Sequence, residues 1–153
     1  MKIFYKLTVI FFLFTNICNA ELIKPNSNLK PIDVLMIQLN SLKNNNSPYK
    51  DAGIEQVWEF AHPNNKTITG PLNKFKQMIY SQSYKLLISH ENSEIQILNE
   101  TNDISVYKVT ILTRNKKKYY YIWQVEKVLF KGNLKNCWMT TSVSNPKYIG
   151  EVI

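Results

Sequence analysis

The stretch that decides the fold is SVYKVTILTRNKKKYYYIWQVEKVL, residues 105–129. From Ser105 to Thr113 apolar and polar residues alternate, with Tyr107, Val109 and Ile111 on one side and Lys108 and Thr110 on the other. Lys118 to Leu129 repeats the pattern: Tyr119, Tyr121, Trp123 and Val125 share one face, and Tyr120, Ile122, Gln124 and Glu126 share the opposite one. A period of two marks a half-buried strand, and aromatic and β-branched residues favour it. Only a short turn at Asn115-Lys116-Lys117 separates the two runs. Parallel strands need a crossover of a dozen or more residues, so these two pair antiparallel. Their more apolar faces turn inward, which sends Glu126 toward solvent.

Outward from this hairpin the same period gives strands at Lys85 to Ser89, Glu94 to Leu98 and Cys137 to Val143, separated by short polar turns. Before Tyr84 the period becomes helical. Ile32, Leu35, Met36, Leu39 and Leu42 form one stripe behind Pro31, and Asn44-Asn45-Asn46-Ser47-Pro48 ends it. Asp51 is placed to cap a second helix carrying Ile54, Val57, Trp58 and Ala61, which Pro63 stops. Asn64 to Ile68 reads as a polar loop. A third helix follows Thr69-Gly70-Pro71, with Leu72, Phe75, Met78 and Ile79 on its apolar side. The expected fold is therefore α+β: three N-terminal helices packed on one face of a curved, five-stranded antiparallel sheet.

Residues 1–20 have the three parts of a secretory signal: Lys2 and Lys6, an apolar core from Leu7 to Phe14, and a polar end at Ala20, the expected cut. That core is shorter than the roughly 20 residues of a membrane span, so the mature chain is expected to hold no integral segment and to be secreted or periplasmic. Removing twenty of 153 residues leaves 133, one domain's worth. Residues 21–30 read as a flexible leader, 31–145 as the domain and 146–153 as a loose tail. At 44% hydrophobic and 20% charged, with four glycines, the composition is globular and excludes collagen-like sequence.

The net charge of +8 falls to +6 once Lys2 and Lys6 are removed, because 17 basic residues then face 11 acidic ones. Among the basic residues only Arg114 is arginine, although phosphate recognition favours the bidentate guanidinium. Lys116-Lys117-Lys118 before Tyr119-Tyr120-Tyr121 is better read as a solubilising turn and an aromatic strand than as a nucleic-acid surface. Cys137 is the single cysteine of the mature chain, so it has no intrachain disulfide partner and reads as a small core residue. No cofactor motif occurs, and the two histidines, His62 and His90, have no carboxylate at ligand spacing, so no metal site is expected.

Three segments carry a family resemblance: Ile37-Gln38-Leu39-Asn40-Ser41-Leu42 with Asn44 to Asn46, then Phe60-Ala61-His62-Pro63-Asn64-Asn65-Lys66-Thr67-Ile68-Thr69-Gly70-Pro71-Leu72, and Cys137-Trp138-Met139-Thr140-Thr141-Ser142-Val143. They resemble a family of uncharacterised proteins of bacteria, plants and algae, many of the latter organellar. Some members have an acidic residue in the last segment, where this chain has Thr141. The resemblance implies a fold and no activity. The order of elements also resembles the cone-shaped superfamily of nuclear transport factor two, which includes ketosteroid isomerase and polyketide cyclases. Such a cone encloses a cavity that serves enzymes, carriers and dimerisation modules alike.

Trp58, Phe75, Tyr107, Tyr121, Trp123 and Trp138 are the aromatic residues expected to meet inside it. The leading functional expectation is an exported, noncatalytic protein that binds a small apolar or amphipathic ligand there, or a partner such as a second copy of itself. The alternative is a cofactor-independent isomerase, hydratase or cyclase with His62 as base and Tyr107 or Tyr121 as electrophile. It requires a titratable group in the cavity.

Overall fold

A computed structural model describes residues 21–152; the expected signal, residues 1–20, lies outside them. Helix α1 spans Pro31–Lys43. Pro31 occupies its first turn, and the Asp33 carboxylate accepts the Lys30 backbone N–H at 3.0 Å, closing the helix start. The stripe it buries is Val34, Leu35, Gln38, Leu39 and Leu42.

Helix α2, Ala52–Glu59, packs on α1 through a backbone contact: a Cβ on Gly53 would lie 2.1 Å from the Ser41 carbonyl oxygen. Asp51 stands at its cap position in the left-handed region but makes no capping bond. Asn45 holds that end instead, its backbone oxygen accepting from Gly53 N at 2.9 Å and its Oδ1 from Ile54 N at 3.0 Å. The Asp51 carboxylate accepts from the Tyr80 hydroxyl.

Among the described residues four α-helices precede the sheet, one more than the periodicity indicates. The expected loop at Asn64 to Ile68 is the body of α3, Pro63–Thr69, and α4 is Leu72–Ile79. Pro63 both blocks the extension of α2 and serves as first residue of α3. Because α3 buries none of its residues completely, it has no apolar stripe from which to be read. Thr69 ends α3 and does not cap α4; its hydroxyl donates to the Asn65 carbonyl at 2.9 Å.

The sheet is antiparallel and open, formed by β1 (Asn92–Glu100), β2 (Ile104–Leu112), β3 (Lys117–Lys127), β4 (Trp138–Val143) and β5 (Lys147–Glu151). Tyr107 faces Trp123, Val109 faces Tyr121 and Ile111 faces Tyr119 across β2 and β3, so the inward faces are those the alternation indicates. They meet the α1 stripe in one core. Burying each large apolar side chain there contributes about 1.5–3 kcal/mol.

The strand count of five holds with different membership. Lys85 to Ser89 is not a strand: Lys85–Leu87 forms a single 3-10 turn, and Ser89 N donates to Leu42 O, tying the segment beneath α1. The tail, expected to be loose, supplies β5. β4 pairs with β3 from Trp123 to Lys127 only, and β5 fills the vacated edge from Lys117 to Tyr120. An unpaired edge leaves backbone groups unsatisfied, and the returning chain closes it.

The leader is not free either. Ile23 N donates to Gln56 Oε1 at 2.7 Å and Gln56 Nε2 donates back to Ile23 O at 2.8 Å, while Lys24 meets Glu59 at 3.1 Å. Cys137 is a free, buried thiol in a small cluster with Val128 and Met139, and burial pushes its pKa up. Among the described residues no helix is long and apolar enough to cross a membrane.

Candidate functional site

A cavity of about 210 Å³ opens between the helices and the end of the sheet where β3 meets β4. Its deep end is built from Gln38 and Leu42 of α1, Leu87, Trp123 and Thr140, all essentially excluded from solvent. Val57, Phe75, Met78 and Ile79 form the helical wall. Asn65, Thr69, Thr141 and Ser142, partly or fully exposed, make the rim.

The polar groups at the deep end satisfy one another. Trp123 Nε1 donates to Thr140 Oγ1 at 3.0 Å, and that hydroxyl donates to Gln38 Oε1 at 3.0 Å. Gln38 Nε2 completes the chain by donating to Val34 O at 3.1 Å. Each member is buried, so each bond prevents the desolvation penalty of an unpaired group.

Thr140 also joins the sheet to the helices through its backbone. Its N–H donates to Phe60 O and its carbonyl accepts from His62 N, both at 2.8 Å, in a parallel bridge with Ala61. Across the cavity Tyr84 donates its hydroxyl to Val143 O at 3.0 Å, and burial raises its phenol pKa.

Of the six aromatic residues expected to meet in a pocket, Phe75 and Trp123 line this cavity. Trp58 stands behind Phe75, with ring centroids 5.0 Å apart and Lys66 Nζ 5.1 Å from its own ring. Tyr121 donates to Ser83 O at 2.9 Å, and burial pushes its phenol far above the ordinary range. Tyr107 is fully buried in the core, its hydroxyl without a hydrogen-bond partner among the described residues. Trp138 is buried outside the lining, with Lys127 Nζ 5.1 Å from its ring. The strand alternation selects inward residues but does not say which stretch of the inner face the helices leave uncovered.

Neither histidine lines the cavity. His62 is the N-cap of α3: its Nδ1 accepts from Asn64 N at 3.2 Å, and desolvation lowers its pKa. An imidazole just before Pro63, at the end of α2, is expected to bond the terminal carbonyls of that helix; the start of α3 claims the ring instead. His90 follows the 3-10 turn, a position that by itself suggests a solvated residue, but it is buried, with Nδ1 donating to Leu87 O at 2.8 Å and desolvation lowering its pKa. Among the described residues no carboxylate, imidazole or ammonium belongs to the lining. Among the described residues no three His, Cys, Asp or Glu side chains gather as a metal site would require.

The sequence pattern does not single out Gln38 or Thr140 as site residues, yet a signal exists. Gln38 is a polar residue inside the α1 stripe, between Leu35 and Leu39, and a polar side chain on a buried face must have a partner. No protein-family model, curated protein or solved structure matches this chain. The functional reading therefore stands on the geometry of the cavity.

Proposed function

We propose that the protein binds a small apolar or amphipathic molecule in the cavity between α1, α2, α4 and the β3–β4 end of the sheet, and carries out no proton transfer there. The observation that supports this is the lining: apolar walls, free hydrogen-bonding capacity at the rim, and a deep end whose polar groups are bonded to one another. An apolar cavity of about 150 Å³ is enough for benzene, and this one is about 210 Å³. The isomerase reading lacks both its base and its electrophile: His62 is committed to capping α3, and Tyr107 and Tyr121 lie outside the lining. Export of the chain after Ala20, the cone-like curvature of the sheet and the likeness to the cone superfamily belong to the same proposal: a secreted or periplasmic carrier with its chamber under the helices.

The test is titration of the purified protein with toluene. A ligand at about 100 times its Kd adds about 2.7 kcal/mol to the folded state, so the melting temperature rises by several degrees and Trp123 emission changes. An unchanged melting temperature and emission at millimolar toluene would overturn the proposal.

A further inference from the structure

We infer that the cavity selects an electrically neutral ligand the size of one ring with a short substituent, carrying a single uncharged hydrogen-bonding group that remains at the rim. The inference rests on the proposed ligand site and adds the chemistry of its occupant. Orientation follows from where hydrogen-bonding capacity is left over. At the deep end Trp123, Thr140 and Gln38 bond to one another, so a polar group pushed inward would find no free partner there. Losing water without a new partner is unfavourable, and the apolar end of the ligand enters first.

At the rim the situation reverses. Asn65 Oδ1 receives no hydrogen bond among the described residues, and its Nδ2 makes only a long contact of 3.4 Å to Thr140 O. The Thr69 hydroxyl donates to Asn65 O and keeps its lone pairs available. A neutral hydroxyl or amide can both give and accept here.

Charge discriminates further. No lining residue carries a formal charge that could neutralise an ion. An anionic head meets no ammonium, guanidinium or imidazolium in the lining and would lie unpaired. Lys66 is turned onto the Trp58 ring. A cationic head finds no carboxylate in the lining and would enter desolvated and unpaired.

Calorimetric titration of the purified protein with benzyl alcohol, toluene, benzoate and benzylammonium tests this. Benzyl alcohol is expected to bind tightest, with both ions at least about 10-fold weaker. Asn65→Leu is expected to bring benzyl alcohol down to the affinity that toluene has for the same variant. If toluene or either ion binds as tightly as benzyl alcohol, the neutral-head inference is overturned and the ligand site stands. If none of the four binds, the site itself falls. Should Asn65→Leu fail to fold, the four affinities of the unaltered protein still decide the matter.

Discussion

Replacing Thr140 with valine keeps the shape of the side chain and removes one hydroxyl, yet the structure assigns it a large effect. Thr140 Oγ1 accepts from Trp123 Nε1 and donates to Gln38 Oε1, and all three residues are buried. Valine strands both partners. Each unsatisfied buried group costs about 1–3 kcal/mol, whereas burying a methyl in place of the hydroxyl returns about 1 kcal/mol. The expected net loss is about 1–5 kcal/mol, out of the roughly 5–15 kcal/mol typical of a domain. Urea unfolding followed by circular dichroism and tryptophan emission measures it. Thr140→Ser retains the hydroxyl and is expected to lose only about 1 kcal/mol with its methyl group. In a Gln38→Leu background the stranded acceptor no longer exists, so the cost of Thr140→Val is expected to fall by about 1 kcal/mol or more. If Thr140→Val is within about 0.5 kcal/mol of the parent, the hydrogen-bonded chain does not hold the deep end together and the reasoning fails.

Three other perturbations have defined signs. Gly53→Ala gains up to about 1 kcal/mol in helix propensity, but its Cβ would lie 2.1 Å from Ser41 O and 2.8 Å from Asn45 Cα, both backbone. Forcing α1 and α2 apart outweighs the gain, and thermal melting is expected to show a net loss of about 2 kcal/mol; an equal or higher melting temperature would contradict the close contact. Tyr107→Phe removes a buried hydroxyl that, like that of Ser105, has no well-formed partner among the described residues, so stability is expected to stay level or rise by about 1 kcal/mol, and a loss of that size in urea would show that the two hydroxyls are bonded. Desolvation lowers the pKa of both His62 and His90 from 6.5. The unfolded chain therefore binds protons first, and stability is full above that value and declines as pH falls through the folded-state pKa values. His62→Asn preserves a capping acceptor and is expected to flatten the decline in urea midpoints between about pH 8 and pH 5; an unchanged slope would mean that His62 does not contribute.

The hairpin of β2 and β3 was legible because both its strands alternate over nine or more residues and expose one face to each environment. Lys85 to Ser89 was not, because five residues with Leu86 and Ile88 in alternation satisfy a strand pattern as well as a turn tucked beneath α1. β5 was hidden for a different reason. Its burial is slight, and its existence follows from the vacancy that β4 leaves along β3, a fact of topology with no local trace. The leader is similar: a single buried side chain, Gln56, pairs with the backbone of Ile23 thirty-three positions away.

Where the cavity lies has a physical cause beyond which residues are apolar. Well-packed interiors close small voids when their walls are free to move, because empty space forfeits dispersion contacts. Here the walls are fixed at two places by polar bonds. At one, the Phe60–His62 segment is fastened to Thr140 by two backbone hydrogen bonds of 2.8 Å. At the other, α4 is fastened to α2 by Lys76 and Glu55 at 2.8 Å and by Tyr80 and Asp51, with Lys76 holding the Glu55 carboxyl below its usual range. A shift of α4 onto the sheet would break the second attachment, and a shift of the α2–α3 junction would break the first. A void bounded this way persists although collapse would improve its apolar contacts. It is these attachments, set by Asp51, Glu55, Lys76, Tyr80 and Thr140 and not by the aromatic residues, that keep space available for a ligand.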